Sequence, residues 1–164
     1  TPVVSFYANI LAFDGYYEKK WFPYTMPISD IYGLRQAFDN IKNDPYILER
    51  HAKIGNAVRA AVKEAGLELY QETGFSNTVT VFNVPEGTTD TAILTAMKEK
   101  CNIMLAGSFG AFAGKVIRIG HMGENAYPEK VGAVMAGLDL VFKDLGITLK
   151  CSLKEAYDRK MSEQ

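Results

Sequence analysis

Apolar residues recur at three- and four-residue spacing after Pro27, where Ile31, Leu34, Phe38 and Ile41 mark one stripe of a helix behind the capping candidates Ser29 and Asp30. Asp44-Pro45 breaks that pattern, because a residue before proline is pushed out of the helical region. A second helical stripe follows with Ile47, His51, Ile54, Val58, Ala61, Val62 and Ala65, and Gly66 stands at the usual C-terminal stop. Residues 67–71 read as a short strand, and residues 78–82 alternate like a half-buried one. Thr88 or Thr89 then caps a helix carrying Ile93, Leu94 and Met97. Residues 103–105 form a short apolar strand that enters a small-residue loop over 106–114, and residues 115–119 read as the next strand. Pro128 introduces the most hydrophobic helix, with Val131, Val134, Met135, Leu138, Val141, Phe142 and Leu145 on it and Gly146 as its stop. Ser152-x-x-Glu155 has the form of a capping box opening a polar helix that runs to about Met161. The order from residue 46 to 145 is helix, strands, helix, strands, helix, which predicts an α+β fold with a small sheet covered on one side.

One stretch has neither period. Eight of the 19 aromatic residues fall within residues 6–24, and rings on such an irregular arm bring apolar area that must be covered. Two readings stay open: the arm wraps this chain's own core, or it lies against a partner. The chain has 164 residues, room for one domain of ordinary size or one domain plus a docking segment, and its 48% hydrophobic content is enough for a real core. Lys plus Arg number 18 against 19 Asp plus Glu, so there is no electrostatic reason to expect a nucleic-acid or anionic-membrane partner. Cys101 and Cys151 form no framework, and with only His51 and His121 beside them they do not make a zinc set, so a reduced, cytoplasmic setting is the expectation. No apolar run reaches a membrane span, and the first residues lack the pattern of a signal peptide.

The candidate chemistry is sparse. Strand alternation puts Arg118 on the face opposite Ile117 and Ile119, where a guanidinium could hold a carboxylate bidentately or simply face solvent. His121 could titrate near neutrality, but no acidic or cysteine partner stands at a catalytic spacing, which favours a structural histidine in a turn. The loop 106–114 offers backbone N–H groups to an anion, yet it fits neither the P-loop nor the dinucleotide pattern, since a strand follows it. Cys101 at a helix end reads as a small buried residue. The segment at 22–27 places the Tyr24 and Thr25 hydroxyls in a rigid turn before a helix N-terminus, either a phosphate contact or a plain helix lead-in.

Three blocks together resemble the class V pyridoxal-phosphate-dependent aminotransferases, and within them the alanine-glyoxylate and serine-pyruvate aminotransferase group. They are FPYTMPISDIYGLR at 22–35, RHxxI at 50–54 and GKVIRIGHMG at 114–123, and the match in order and spacing extends over roughly residues 5–145. The resemblance implies the C-terminal portion of a fold type I enzyme: residues 1–44 as the end of the large domain and a connecting helix, 45–146 as the small domain, and 147–164 as a C-terminal extension with a short helix. It implies a small antiparallel sheet covered by helices. It also implies pyridoxal 5'-phosphate as cofactor, a homodimer, and transfer of an amino group between alanine or serine and a 2-oxo acid such as glyoxylate or pyruvate.

By the same resemblance Arg118 binds the substrate carboxylate, and Thr25 reaches the cofactor phosphate of the neighbouring subunit, with Tyr24 a second candidate. Some members of the family have a phosphate-binding tyrosine at the position of Phe22, which cannot make that bond here. The lysine that holds the cofactor covalently, and the aspartate that pairs with its ring nitrogen, belong to the family's upstream portion. Lys19 and Lys20 do not lie in the S-x-x-K context, so the chain by itself is expected to be inactive. The cysteine desulfurase branch fits less well, because loop 106–114 has no cysteine. A reading of another class is a stand-alone small-molecule-binding or regulatory module that keeps the small-domain fold without catalysis.

Overall fold

The computed structural model describes residues 5–163. They divide into two compact units, Thr1–Pro45 and Tyr46–Gln164. In the first unit a short 3-10 turn, Ile10–Phe13, leads into α1 (Tyr16–Lys19) and then α2 (Ile28–Lys42). The aromatic arm is less irregular than its sequence implies. Phe6, Tyr7, Phe13 and Tyr24 gather at centroid separations of 4.9–5.5 Å, edge to face except for the tilted Tyr7–Tyr24 pair, with Phe22 5.6 Å from Phe13, edge-to-face contacts being those that suit ring quadrupoles. The cluster does not bury itself: Tyr7 remains 80% exposed and Phe6 69%. Helix α2 likewise has no buried residue, and Ile31, Leu34, Phe38 and Ile41 form an exposed stripe. It begins at Ile28 behind Pro27 and no side chain caps it, so Ser29 and Asp30 lie inside the first turn and do not cap it as expected.

The second unit holds the core. Helices α3 (Ile47–Glu64), α4 (Asp90–Cys101), α5 (Pro128–Asp144) and α6 (Leu153–Ser162) pack with the antiparallel pair β1 (Val79–Asn83) and β2 (Val116–Gly120). Phe82 opposite Ile117 and Thr80 opposite Ile119 make the buried face of the sheet. The Phe82 ring meets Phe142 of α5 edge to face at 6.4 Å. Leu153, Ala156 and Tyr157 of α6 are buried in the same core, so packing continues without a break through residue 147, where the C-terminal extension was expected to begin.

Two expected strands are shorter than their apolar runs. The stretch 67–71 makes only an isolated bridge, Leu69 to Phe82, before Gly74 turns the chain at φ +71°. The stretch 103–105 reaches β2 only at Ala106, which bridges Arg118. One residue on, the Gly107 carbonyl bonds the Arg118 side chain and not a strand, and the ladder ends. Caps follow the sequence more closely: the Thr89 hydroxyl accepts from Ala92 N–H, Pro128 opens α5, and the Ser152 hydroxyl accepts from Glu155 N–H. Gly66 and Gly146 take left-handed φ of +86° and +73° and close α3 and α5 with paired backbone bonds, Leu67 N–H to Val62 and Ile147 N–H to Phe142 among them.

Candidate functional site

Arg118 owes its position to the register of β2. Its N–H donates to the Ala106 carbonyl at 2.7 Å and its carbonyl accepts from Ala106 N–H at 3.4 Å. Opposite Val81 it therefore forms a non-hydrogen-bonded pair, with its side chain on the face away from Ile117 and Ile119. The Nε–H donates to the Gly107 carbonyl at 2.6 Å, which fixes the plane of the guanidinium. Gly107 itself packs closely on α4, where a Cβ would stand 3.3 Å from the Asp90 carboxylate. Among the described residues no carboxylate pairs with Arg118.

The guanidinium borders a cleft of about 710 Å³ between the sheet and α5. Apolar walls come from Val79, Ile103, Leu105, Val131 and Val134; Met104 and Met122 flank it, and Asn125 and Lys130 supply further polar groups. Among the described residues neither Asp nor Glu lines it. The Lys130 ammonium donates to the Glu124 carbonyl and lies 5.5 Å from the Tyr127 ring, partners that leave its charge unneutralised. Sequence reasoning singled out Arg118 but not Lys130 or Asn125; no local pattern connects them, because strand and helix meet only in the fold.

Helix α3 braces the turn that follows β2, which accounts for the block RHxxI. Arg50 Nε donates to the Ala126 carbonyl at 2.9 Å and its guanidinium lies 4.9 Å from the Tyr127 ring. His51 Nε2 accepts from Gly123 N–H at 3.1 Å while its Nδ1 meets the Ile47 carbonyl at 2.6 Å, so the donor is assigned to Nδ1. Ile54 is fully buried in the core. His121, also fully buried, is structural as its surroundings in the sequence imply. Its Nδ1 lies 3.1 Å from the Asn77 carbonyl and its Nε2 2.9 Å from the Thr80 hydroxyl, an arrangement met by a neutral ring protonated on Nδ1. Burial lowers its pKa to about 4, with Arg59 and His51 adding smaller opposition to a second charge.

Cys101 is partly buried against α5, its thiol 3.9 Å from the Gly137 carbonyl. Arg59 is held wholly by neutral acceptors: the Ser76 carbonyl at 2.8 Å and the Asn56 side chain at 2.6 Å, with the Phe75 ring 5.1 Å away. Burial lowers its pKa.

The two candidate phosphate contacts lie in the first unit and differ. Tyr24 donates its hydroxyl proton to the Phe6 carbonyl at 2.6 Å, inside the aromatic cluster. Thr25 is exposed beside the uncapped N-terminus of α2, and no partner engages its hydroxyl among the described residues. A free hydroxyl next to helix N–H groups is a donor set suited to a phosphate. It offers nothing to a cofactor's ring or aldehyde. The lysines of the arm are otherwise engaged, Lys19 with the Asp14 carbonyl at 3.2 Å and Lys20 over the Tyr17 ring at 4.1 Å.

No protein-family model matches the chain. Individual proteins do. An uncharacterised aminotransferase of Methanocaldococcus jannaschii is 38% identical over 151 residues, which is 90% of this chain and 39% of that protein. Serine–glyoxylate aminotransferase of Arabidopsis thaliana is 37% identical over 130 residues, 77% of this chain and 32% of the relative. Among solved structures, ureidoglycine–glyoxylate aminotransferase of Bacillus subtilis superposes over 100% of this chain and 43% of its own, with a TM-score of 0.89 at 26% identity. The chain thus spans between about a third and two fifths of the length of the relatives it matches.

Proposed function

Since this chain belongs to the class V aminotransferases as the homologue of their C-terminal portion, we propose that it is the substrate-clamping part of an enzyme that moves an amino group between a small amino acid, alanine or serine, and a 2-oxo acid such as glyoxylate or pyruvate. Arg118 carries this reading. It is a guanidinium oriented by a backbone carbonyl, without a carboxylate partner among the described residues, at the edge of a cleft with largely apolar walls, which is what bidentate capture of a substrate carboxylate requires. Both substrates present the same α-carboxylate, so one arginine serves each in turn.

Pyridoxal 5'-phosphate, when bound to the whole enzyme, supplies the electron sink for exchange of the amino group. Of this chain's residues Thr25 is the one suited to hold its phosphate, in the proposed homodimer that of the neighbouring subunit. Tyr24 is the lesser candidate, because its proton is given to Phe6, and Phe22 has none to give. The residues bounding the cleft keep water from the bound carboxylate and so strengthen its pairing with Arg118. The lysine that holds the cofactor is assigned to a large domain upstream, and this chain alone is expected not to transaminate. On this reading residues 1–44 end that domain and the small domain starts at about 45, in a cytoplasmic enzyme; no described helix is long and apolar enough to cross a membrane.

The test joins the chain to its upstream portion and replaces Arg118 by Ala and by Lys. For Arg118→Ala, KM for amino acid and oxo acid should both rise about 100-fold, the worth of a charge-assisted bidentate pair of about 3 kcal/mol, while the cofactor's absorption is unchanged. Arg118→Lys should recover only part of the loss. Unchanged KM values in the Ala variant would refute the assignment. A stand-alone binding module would instead take up small carboxylates without cofactor and gain no activity from the upstream portion.

A further inference from the structure

The turn that follows β2, residues 122–127, brings Met122 and Asn125 to the cleft beside Arg118. Its two internal bonds, Asn125 N–H to the Met122 carbonyl and Ala126 N–H to the Gly123 carbonyl, both at 3.0 Å, give it a shape but not a place. Lys130 of the helix that follows bonds the Glu124 carbonyl, and the turn is anchored from behind by α3, which among the described residues contributes nothing to the lining of the cleft. Arg50 holds the far end of the turn through the Ala126 carbonyl, and His51 holds the near end, accepting from Gly123 N–H at 3.1 Å. The His51 bond needs one tautomer. Nδ1–H is given to the Ile47 carbonyl one turn back on the helix, at 2.6 Å, which leaves the lone pair of Nε2 for the turn. Without that acceptor Gly123 N–H would have to find another partner, and Met122 beside it would move as well.

We propose that His51 is a positioning residue of the carboxylate site: through Gly123 it fixes the turn that carries Met122 and Asn125, and so keeps that side of the cleft in place around a carboxylate bound to Arg118. The inference rests on the assignment of Arg118 to the substrate carboxylate and adds to it a residue that never touches the substrate.

Propionate, which needs no cofactor, probes the site. Its binding to the full chain is followed by NMR titration in wild type, Arg118→Ala, His51→Leu, His51→Gln and His51→Asn. Gln presents an acceptor at the reach of Nε2, whereas Asn reaches only as far as Nδ1 and can serve Ile47 but not Gly123. Gly146→Ala, beyond the C-terminal end of α5 and outside the cleft, controls for lost stability alone. Wild type should show scalar coupling across the hydrogen bond between the Gly123 nitrogen and His51 Nε2, and should bind propionate through Arg118. His51→Leu and His51→Asn should each weaken binding about fivefold, the worth of one hydrogen bond. His51→Gln should stay within about twofold of wild type, and Gly146→Ala should bind as wild type does. Binding that is lost in Arg118→Ala but unchanged in His51→Leu would overturn the role of His51 and leave that of Arg118 standing. So would equal losses in the Gln and Asn variants, a comparison that decides the matter even if His51→Leu fails to fold, or absence of the coupling in wild type. A loss in Gly146→Ala as large as that in His51→Leu would reduce His51 to a contributor to stability and overturn the proposal too. No binding of propionate to wild type would overturn both this assignment and that of Arg118.

Discussion

Unfolded, the His121 imidazole takes up its proton near pH 6.5, whereas in the folded protein burial holds that value down to about 4. Between these limits the unfolded chain binds more protons than the folded one. Stability therefore rises with pH through that window, is complete above about 6.5, and falls by about 3 kcal/mol as the pH drops from 6.5 to 4. Denaturant titrations at steps of half a pH unit should show this slope, and His121→Gln should flatten it while lowering stability at pH 7. A slope unchanged in the variant would mean that other groups set the acid response. The partners explain why the sequence revealed a structural histidine but not its charge state. The Asn77 carbonyl and the Thr80 hydroxyl arrive from 44 and 41 residues away, and no local spacing reports them. Arg118 differs in this respect. Alternation within five residues of β2 located its face, but the Gly107 carbonyl that orients it and the cleft it borders depend on how far the Ala106 bridge extends.

Among the elements, those legible in the sequence are the ones whose signals are local. Gly146 is one such signal, and a clean place to measure its worth. A Cβ there would meet nothing within 4 Å, so the left-handed φ of +73° is the whole cost of a side chain. Gly146→Ala should lower the unfolding free energy by about 1 kcal/mol, read from the urea midpoint of the full chain; no loss would mean that the end of α5 relaxes into another turn. The start of α6 was only half legible. Ser152 caps as its motif implies, but Asp139 of α5 accepts from the Ser152 hydroxyl, the Leu153 N–H and the Lys154 N–H at 2.6, 2.7 and 3.0 Å. A carboxylate thirteen residues upstream is invisible to a capping pattern, yet it ties α6 to α5 and takes advantage of the helix dipole. The two over-read strands failed for the converse reason: a run of apolar residues says that a segment is buried, and only the partner's free hydrogen-bonding edge decides how long a ladder becomes.

For the whole chain, the decisive contrast is between the two units. Among the described residues, every one of the hydrophobic core lies in the second, from Ile54 to Tyr157, whereas in the first unit the arm and α2 have no buried residue and an apolar stripe faces outward. A helix of 15 residues without tertiary burial is marginal in water. Mild proteolysis should therefore cut within or just after the first unit and leave a resistant fragment starting near Tyr46. That fragment should unfold in one cooperative transition, with a midpoint within a few degrees of the full chain's. Removal of residues 1–45 should also reduce self-association, because the exposed stripe of Ile31, Leu34, Phe38 and Ile41 is the kind of surface that soluble proteins keep covered. Addition of the upstream portion proposed for the whole enzyme should instead protect the first unit from the same protease, since its apolar stripe would then have a surface to cover it. If the arm and α2 resist digestion in the chain alone, they are stable without such cover, and the proposal that they complete a larger domain loses its physical basis.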